Sequence, residues 1–367
     1  MTANAVEEAA PEELAVARNG AVARIVLQRT RALNALTIAM RAKLAAAIPV
    51  LARDPSLYAV VIRSTNPKAF CSGGDVRELI QLYQADAPSA RAAFADEYEL
   101  DWALECFSKP TVSLIDGMVM GSGVGISIYN THRVAGAGYK FAMPETAIGL
   151  FPDVGVAHAL SRLPGEIGTY LGLTGRAIGR ADAYALGLVT HCIPADRFDE
   201  IEVALADAQT IDPLLDGLHQ EPGSGELADK AELIADAFAG AEVEAIVARR
   251  EKHKMDGNEF AAGILKDLAA RSPTSLKITL RHLRQAAKSD LRDVLIADQR
   301  LACRCLEGHD FAEGVRAALV DKDNLPVWQP ASLEGVTSAI VASHFAPLPE
   351  ADELKLPTRE QMQAARM

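Results

Sequence analysis

The chain has 367 residues, 49% of them hydrophobic and 5% aromatic, with a formal net charge of −12. Such a length can bury a large core and suggests more than one structural unit. The acidic balance argues against a general nucleic-acid or anionic-membrane binder, although it leaves room for a local basic patch around one anionic ligand.

The first 17 residues, MTANAVEEAAPEELAVA, lack a basic stretch followed by an apolar run, and they are acidic and free of arginine. Neither a secretory signal nor a transit peptide is expected from them, so residues 1–12 read as a disordered leader and the location as cytoplasmic. No window of 18 apolar residues suggests a membrane span. Next, LAVARNGAVARIVLQ (14–28) has the pattern of two strands around an Asn19-Gly20 hairpin turn. A helix is expected from Thr37, its N-cap, to about Arg53, with Met40, Leu44, Ile48 and Leu51 at helical spacing.

YAVVIRST (58–65) is a β-branched strand, followed after a loop by a helix over DVRELIQLY (75–83). A longer amphipathic helix, 90–107, closes at Lys109-Pro110 and leads to a buried-type strand at TVSLIDG (111–117). Another helix start follows at MGSGVGISIYN, and then short strands at HRVAG and KFAMPE. Strand, turn and helix thus alternate over the first 200 residues, the signature of an α/β unit with crossovers.

From there on the strand signal disappears. EPGSGE (221–226) is a plausible exposed break, with helical patterns beyond it near 228–252, 258–270, 274–287, 289–305 and 309–320. The expected organisation is a core at 13–205, a helical region at 206–345 and a flexible tail at 346–367.

Five cysteines (Cys71, Cys106, Cys192, Cys303 and Cys305) show no metal-ligand spacing, so no metal site is expected, and a reducing compartment is the simplest reading. Cys71 and Ser72 have no obvious basic or histidine partner nearby, so neither reads as an activated nucleophile. His158 and His191 read as surface or helix residues.

Chemistry points instead to three segments. In KAFCSGGD (68–75) a strand runs into Gly73-Gly74 and then into Asp75, a helix N-cap. Glycines there admit positive φ, let a ligand approach the backbone, and place an N–H near Gly74 at a helix start. MGSGVG (120–125) repeats the device with Gly121, Ser122 and Gly123, offering the N–H of Ser122. Two such turns side by side would make a two-donor oxyanion hole. MPETAIGLFPDVG (143–155) sets Glu145 and Asp153 in apolar surroundings, which raise a carboxyl pKa and suit a general base, acid or nucleophile. Pro-Asp before a helical run is equally an ordinary N-cap signal for Asp153, and Glu145 could likewise cap a helix.

Together with LQRTRALNAL (27–36), these segments resemble the crotonase (enoyl-CoA hydratase/isomerase) superfamily and stand in its order over the first 200 residues. SPTSLKITL (272–280) and DFAEGVRAALVDKDNLPVW (310–328) extend the resemblance, toward the superfamily's 3-hydroxyacyl-CoA hydrolases, to about residue 330. The implied fold is α/β: a crotonase-like spiral of repeated ββα units with a C-terminal helical extension.

The implied partner is an acyl-CoA whose thioester oxygen is held by the backbone N–H groups of Gly74 and Ser122, within turns that include Gly73 and Gly121. Of the two glutamates that hydratases use, one matches Glu145 and the other falls at Gly125. The hydrolases match instead at Glu145 and Asp153, together with Glu97. Ser122 departs from the family's usual glycine, and Thr30 from its usual proline.

Hydrolysis of a 3-hydroxyacyl-CoA is therefore expected, 3-hydroxyisobutyryl-CoA first among candidates. Double-bond hydration or isomerisation by Glu145 alone, and a non-catalytic acyl-CoA-binding subunit, are the alternatives. Lys68, Arg29 and Arg31 are candidates for the CoA phosphates. No cofactor is expected beyond the CoA of the substrate, and assembly as a homo-oligomer, trimer or hexamer, is possible.

Overall fold

Gly20 turns the first hairpin with φ +58°, and a Cβ there would lie 2.3 Å from the carbonyl oxygen of Ala206, so only glycine fits. The computed structural model describes residues 12–255 and 257–365. Of the expected leader only Glu12 falls within them; its carbonyl accepts a hydrogen bond from Gln28 at 2.5 Å.

The hairpin strands β1 (Leu14–Asn19) and β2 (Val22–Leu27) are antiparallel. They open a six-stranded sheet that continues through β3 (Ala59–Ser64), β5 (Thr111–Ile115), β7 (His132–Ala135) and β10 (His191–Cys192). From β2 onward its pairs are all parallel. A second sheet, of four strands, contains β4 (Ala69–Cys71), β6 (Met118–Met120), β8 (Lys140–Ala142) and β9 (Ile178–Gly179). The consecutive pairs β3-β4, β5-β6 and β7-β8 each place one strand in each sheet. This is the spiral of repeated ββα units that the resemblance implies, and parallel strands buried on both faces account for the continuous apolar runs of the sequence.

Helix α1 (Ile38–Arg53) starts where Thr37 accepts from the N–H of Met40 at 3.1 Å, and α2 (Val76–Ala85) where Asp75 accepts from Glu78 at 3.3 Å. Both caps match the sequence reading. Helix α3 (Ala87–Glu105) is longer than expected at its N-terminus, where Asp86 caps it. It buries Phe94, Tyr98 and Trp102 in the main core together with Glu97 and Asp101. Helix α4 (Ser122–Ile128) is buried along its whole length.

Beyond β10 the described chain is helical, with two departures from expectation. The helix expected over 228–252 is two, Ala231–Phe238 and Val243–Met255, separated at the helix-weakening Gly240. The tail expected to be flexible is docked at spaced points along its described part. Leu348, Leu354, Leu356 and Met362 are buried, and Arg292 donates to the carbonyl of Leu356 at 2.6 Å. Trp102 donates to that of Pro357 at 2.9 Å, and a capping box at Thr358 starts the last helix, Arg359–Ala364. A few spaced apolar residues anchor this end.

Candidate active site at the ends of three parallel strands

The neighbours β4, β6 and β8 run parallel, so their C-terminal ends lie side by side. β4 delivers Gly73-Gly74, β6 delivers Gly121-Ser122, and β8 delivers Glu145 after Met143-Pro144. Gly73 adopts φ +111° and Gly121 φ +44°, both in the region that disfavours side chains. A Cβ at Gly121 would lie 3.3 Å from Glu145 Oε1 and 3.3 Å from the Cα of Gly73, and one at Gly74 would meet Ser122 Oγ at 2.9 Å. The two glycine turns therefore face each other beside a carboxyl group. Among the described residues, the N–H groups of Gly74 and Ser122 meet no protein acceptor. The Ser122 hydroxyl points toward Gly74 and is buried.

Glu145 opens a short 3₁₀ turn, Glu145–Ile148, and caps no helix through its side chain; its Oε2 is buried without a partner. Burial raises its pKa from the ordinary carboxylate range to about 8. Asp153 caps nothing either: the next helix, Val156–Leu160, starts at Gly155 without a side-chain cap. Its Oδ2 instead accepts a hydrogen bond from the Tyr98 hydroxyl at 2.9 Å. Burial, then the charges of Glu97, Glu145 and Asp298, push its pKa well up.

Glu97 is buried and ion-paired with Arg41 of α1, itself 6% exposed. The expected acids Glu97, Glu145 and Asp153 thus share one buried region with the expected amide donors. Lys68 is exposed at the start of β4. Arg29 is committed to the protein, bonding Asp75 at 2.9 Å, Glu13 at 3.3 Å and the carbonyl of Ala35 at 3.1 Å. Arg31 pairs with Glu13 at 2.5 Å.

Three members of this region were not anticipated. Arg41 and Tyr98 sit on helices and looked like ordinary amphipathic positions. Asp101 is the third: a Cβ at Gly125 would lie 2.6 Å from its Oδ1 and 2.9 Å from Val154 Cβ. Both its oxygens are buried without partners, and burial, then the charges of Glu97, Asp153 and Asp298, hold its pKa well above the usual range. Spacing carried the available signal: Phe94, Glu97, Tyr98 and Asp101 (i, i+3, i+4, i+7) form one helical face, so the buried face of α3 had to include acids.

Cys71 is packed as expected, its thiol pushed up to about 12 by burial. All five cysteines are free and buried. Among the described residues no group of three or more His, Cys, Asp or Glu is arranged to hold a metal ion, and no helix is long and apolar enough to cross a membrane.

A spiral of ββα units whose parallel strand ends present two glycine turns and a buried glutamate defines a crotonase-type protein, and the chain belongs to the enoyl-CoA hydratase/isomerase family, whose model matches residues 22–345. It is 41% identical over 349 residues to the mitochondrial 3-hydroxyisobutyryl-CoA hydrolase of Gallus gallus, covering 92% of this chain and 90% of that one. The human protein of the same name is 38% identical over 353 residues, covering 94% and 91%. Among solved structures, a carnitinyl-CoA dehydratase from Mycobacterium thermoresistibile superposes with a TM-score of 0.88 at 37% identity, covering 94% of this chain and 98% of that one. An enoyl-CoA hydratase from Rhodobacter sphaeroides 2.4.1 gives the same TM-score, 0.88, at 36% identity, covering 94% and 100%.

Proposed function

We propose that the protein hydrolyses the thioester of a 3-hydroxyacyl-CoA, with 3-hydroxyisobutyryl-CoA as its substrate and a place in valine breakdown. One observation carries this: Glu145, beside two free amides, is joined by Asp153 and Glu97, while the position of the second hydratase glutamate is Gly125, with no side chain. The names of the curated relatives support the same chemistry.

The thioester oxygen binds the N–H groups of Gly74 and Ser122, and the negative charge that develops there is stabilised by roughly 3–4 kcal/mol per donor, as in other oxyanion holes. Deprotonated Glu145 then either attacks the carbonyl carbon, forming an anhydride that water opens, or takes the proton of an attacking water. Both routes break the C–S bond, form a C–O bond, and give the free acid and the CoA thiol. Asp153, with Glu97, holds the 3-hydroxyl and orients the acyl group. Acyl-CoAs lacking that hydroxyl leave buried polar groups unpaired and are poor substrates.

No cofactor enters beyond the CoA that the substrate carries. Of the candidate cations for the CoA phosphates, Lys68 and Arg31 are exposed, whereas Arg29 is largely buried against Asp75 and Glu13. Assembly as a trimer or hexamer is carried by the family resemblance and is checked by sedimentation. The named relatives are mitochondrial, and fractionation of the source cells decides between that compartment and the cytoplasm for this chain.

The solved structures named as a dehydratase and a hydratase favour a second reading, in which Glu145 alone moves protons at a double bond. The purified protein is incubated separately with 3-hydroxyisobutyryl-CoA, 3-hydroxypropionyl-CoA and crotonyl-CoA, and free thiol is followed. Rapid release confined to the 3-hydroxy substrates is expected. Consumption of crotonyl-CoA without thiol release would establish the second reading and overturn the first.

A further inference from the structure

The loop that carries Asp153 has an unfavourable backbone. Val154, a β-branched residue, adopts φ +52°, and Gly155 follows at +73°. A non-glycine residue in that region persists only where its surroundings hold it.

Part of the hold on this loop comes from the helical extension. The N–H of Gly155 donates to Asp298 Oδ2 at 2.7 Å, and Asp298 Oδ1 bonds His282 Nε2 at 2.6 Å. His282 lies on the helix Pro273–Ala286 and Asp298 on the helix Leu291–Glu307. Both are buried, Asp298 fully. The imidazole also stands edge-on to Phe151, with centroids 5.7 Å apart.

Leu291, from the Asp298 helix, leaves no room at Gly155, where a Cβ would lie 2.6 Å away from its Cδ1. On the core side, Tyr129 donates to the Gly155 carbonyl at 2.6 Å and Tyr98 to the Asp153 carboxyl at 2.9 Å. Asp298 therefore spends both oxygens as acceptors, one of them on the Gly155 amide.

A buried pair whose carboxylate lies close to Glu97, Asp101 and Asp153 could be exchanged whole for apolar side chains at little cost, whereas removing Asp298 alone strands His282 and the Gly155 N–H. What the carboxylate supplies is a fixed acceptor.

We propose that His282 and Asp298 are positioning residues: the pair clamps the Gly155 amide, keeps Val154 in its left-handed conformation and so fixes the direction of Asp153. The extension is thereby part of the working site rather than a cover added to it. The kinetic consequence rests on the hydrolase reading above; the clamp itself does not.

The test compares Asp298→Leu, which removes the acceptor, with Asp298→Asn, whose amide oxygen still accepts from Gly155. Amide exchange of a peptide spanning 150–156 is measured alongside kcat and KM. In Asp298→Leu the Gly155 amide exchanges at least about tenfold faster while exchange in the two sheets is unchanged. Its kcat falls at least about tenfold with KM within about threefold, and Asp298→Asn restores both readouts.

Unchanged exchange at 150–156 in folded Asp298→Leu overturns the proposal, as does faster exchange spread evenly over the chain. Where Asp298→Leu does not fold, His282→Leu and His282→Gln, which retains a donor, make the same comparison. If the wild type releases no thiol from any thioester, the hydrolase reading falls, and the exchange results still decide the clamp.

Discussion

Glu145 shows at the scale of one residue what burial does to chemistry. Desolvation holds its pKa near 8, so at neutral pH most of the carboxyl groups carry the proton that either proposed route needs removed. The expected kcat/KM therefore climbs about tenfold per pH unit below 8 and levels above it, a profile read directly from initial rates. Stability runs the other way. The folded state keeps a proton that the unfolded chain releases above pH 4.5, so the native state loses stability between pH 4.5 and about 8. Glu145→Gln lacks that loss: it abolishes turnover and melts above the wild type at pH 8, with the difference vanishing near pH 4. A variant that melts lower at pH 8 would mean the carboxyl is held by partners that the structure lacks. Both acids of the apolar loop were legible in the sequence because charge in such surroundings stands out. Asp101 was signalled only by its helical spacing from Phe94 and Tyr98, a weak cue because the same helix also carries Asp96 and Glu99 on its exposed side.

Element by element, the glycines of α4 set how closely neighbours approach. Gly125 faces the Asp101 carboxyl and Val154, with no room for a methyl group. In an ordinary helix Gly→Ala gains about 1 kcal/mol. Here overpacking reverses the sign, and Gly125→Ala is expected to destabilise by about 1–3 kcal/mol, measured by urea unfolding. A net gain would place Asp101 elsewhere. N-caps at Thr37 and Asp75 were readable because capping is local chemistry. Asp153 carried the same local signal and caps nothing, since the chain turns through Val154 and Gly155 first and its carboxyl goes to Tyr98. A cap signal states what a side chain can do; the partner that wins is set by what the fold brings near.

Over the whole molecule, the described end of the chain acts as a strap. Met362 is buried, Arg359 pairs with Glu105 of α3, and the neighbouring turn of α3 is held through Trp102. Deleting residues 358–367 removes about one buried apolar side chain and an ion pair, a loss of roughly 2–3 kcal/mol that a thermal melt registers as a drop of several degrees. No change in Tm would mean that this end does not dock in solution.

By itself the sequence determined the alternation of strands and helices, the two glycine turns and the pair of acids in the apolar loop. Each follows from local periodicity, backbone freedom or the oddity of charge among apolar neighbours. Only the tertiary structure decided that three parallel strands end side by side and bring those pieces together. It also decided that Arg41, Tyr98 and Asp101 join them, and that Asp298, about 140 residues further on, meets Gly155. These are contacts between segments far apart in the chain, and no local pattern encodes which buried donor will face which acceptor once the helices have packed.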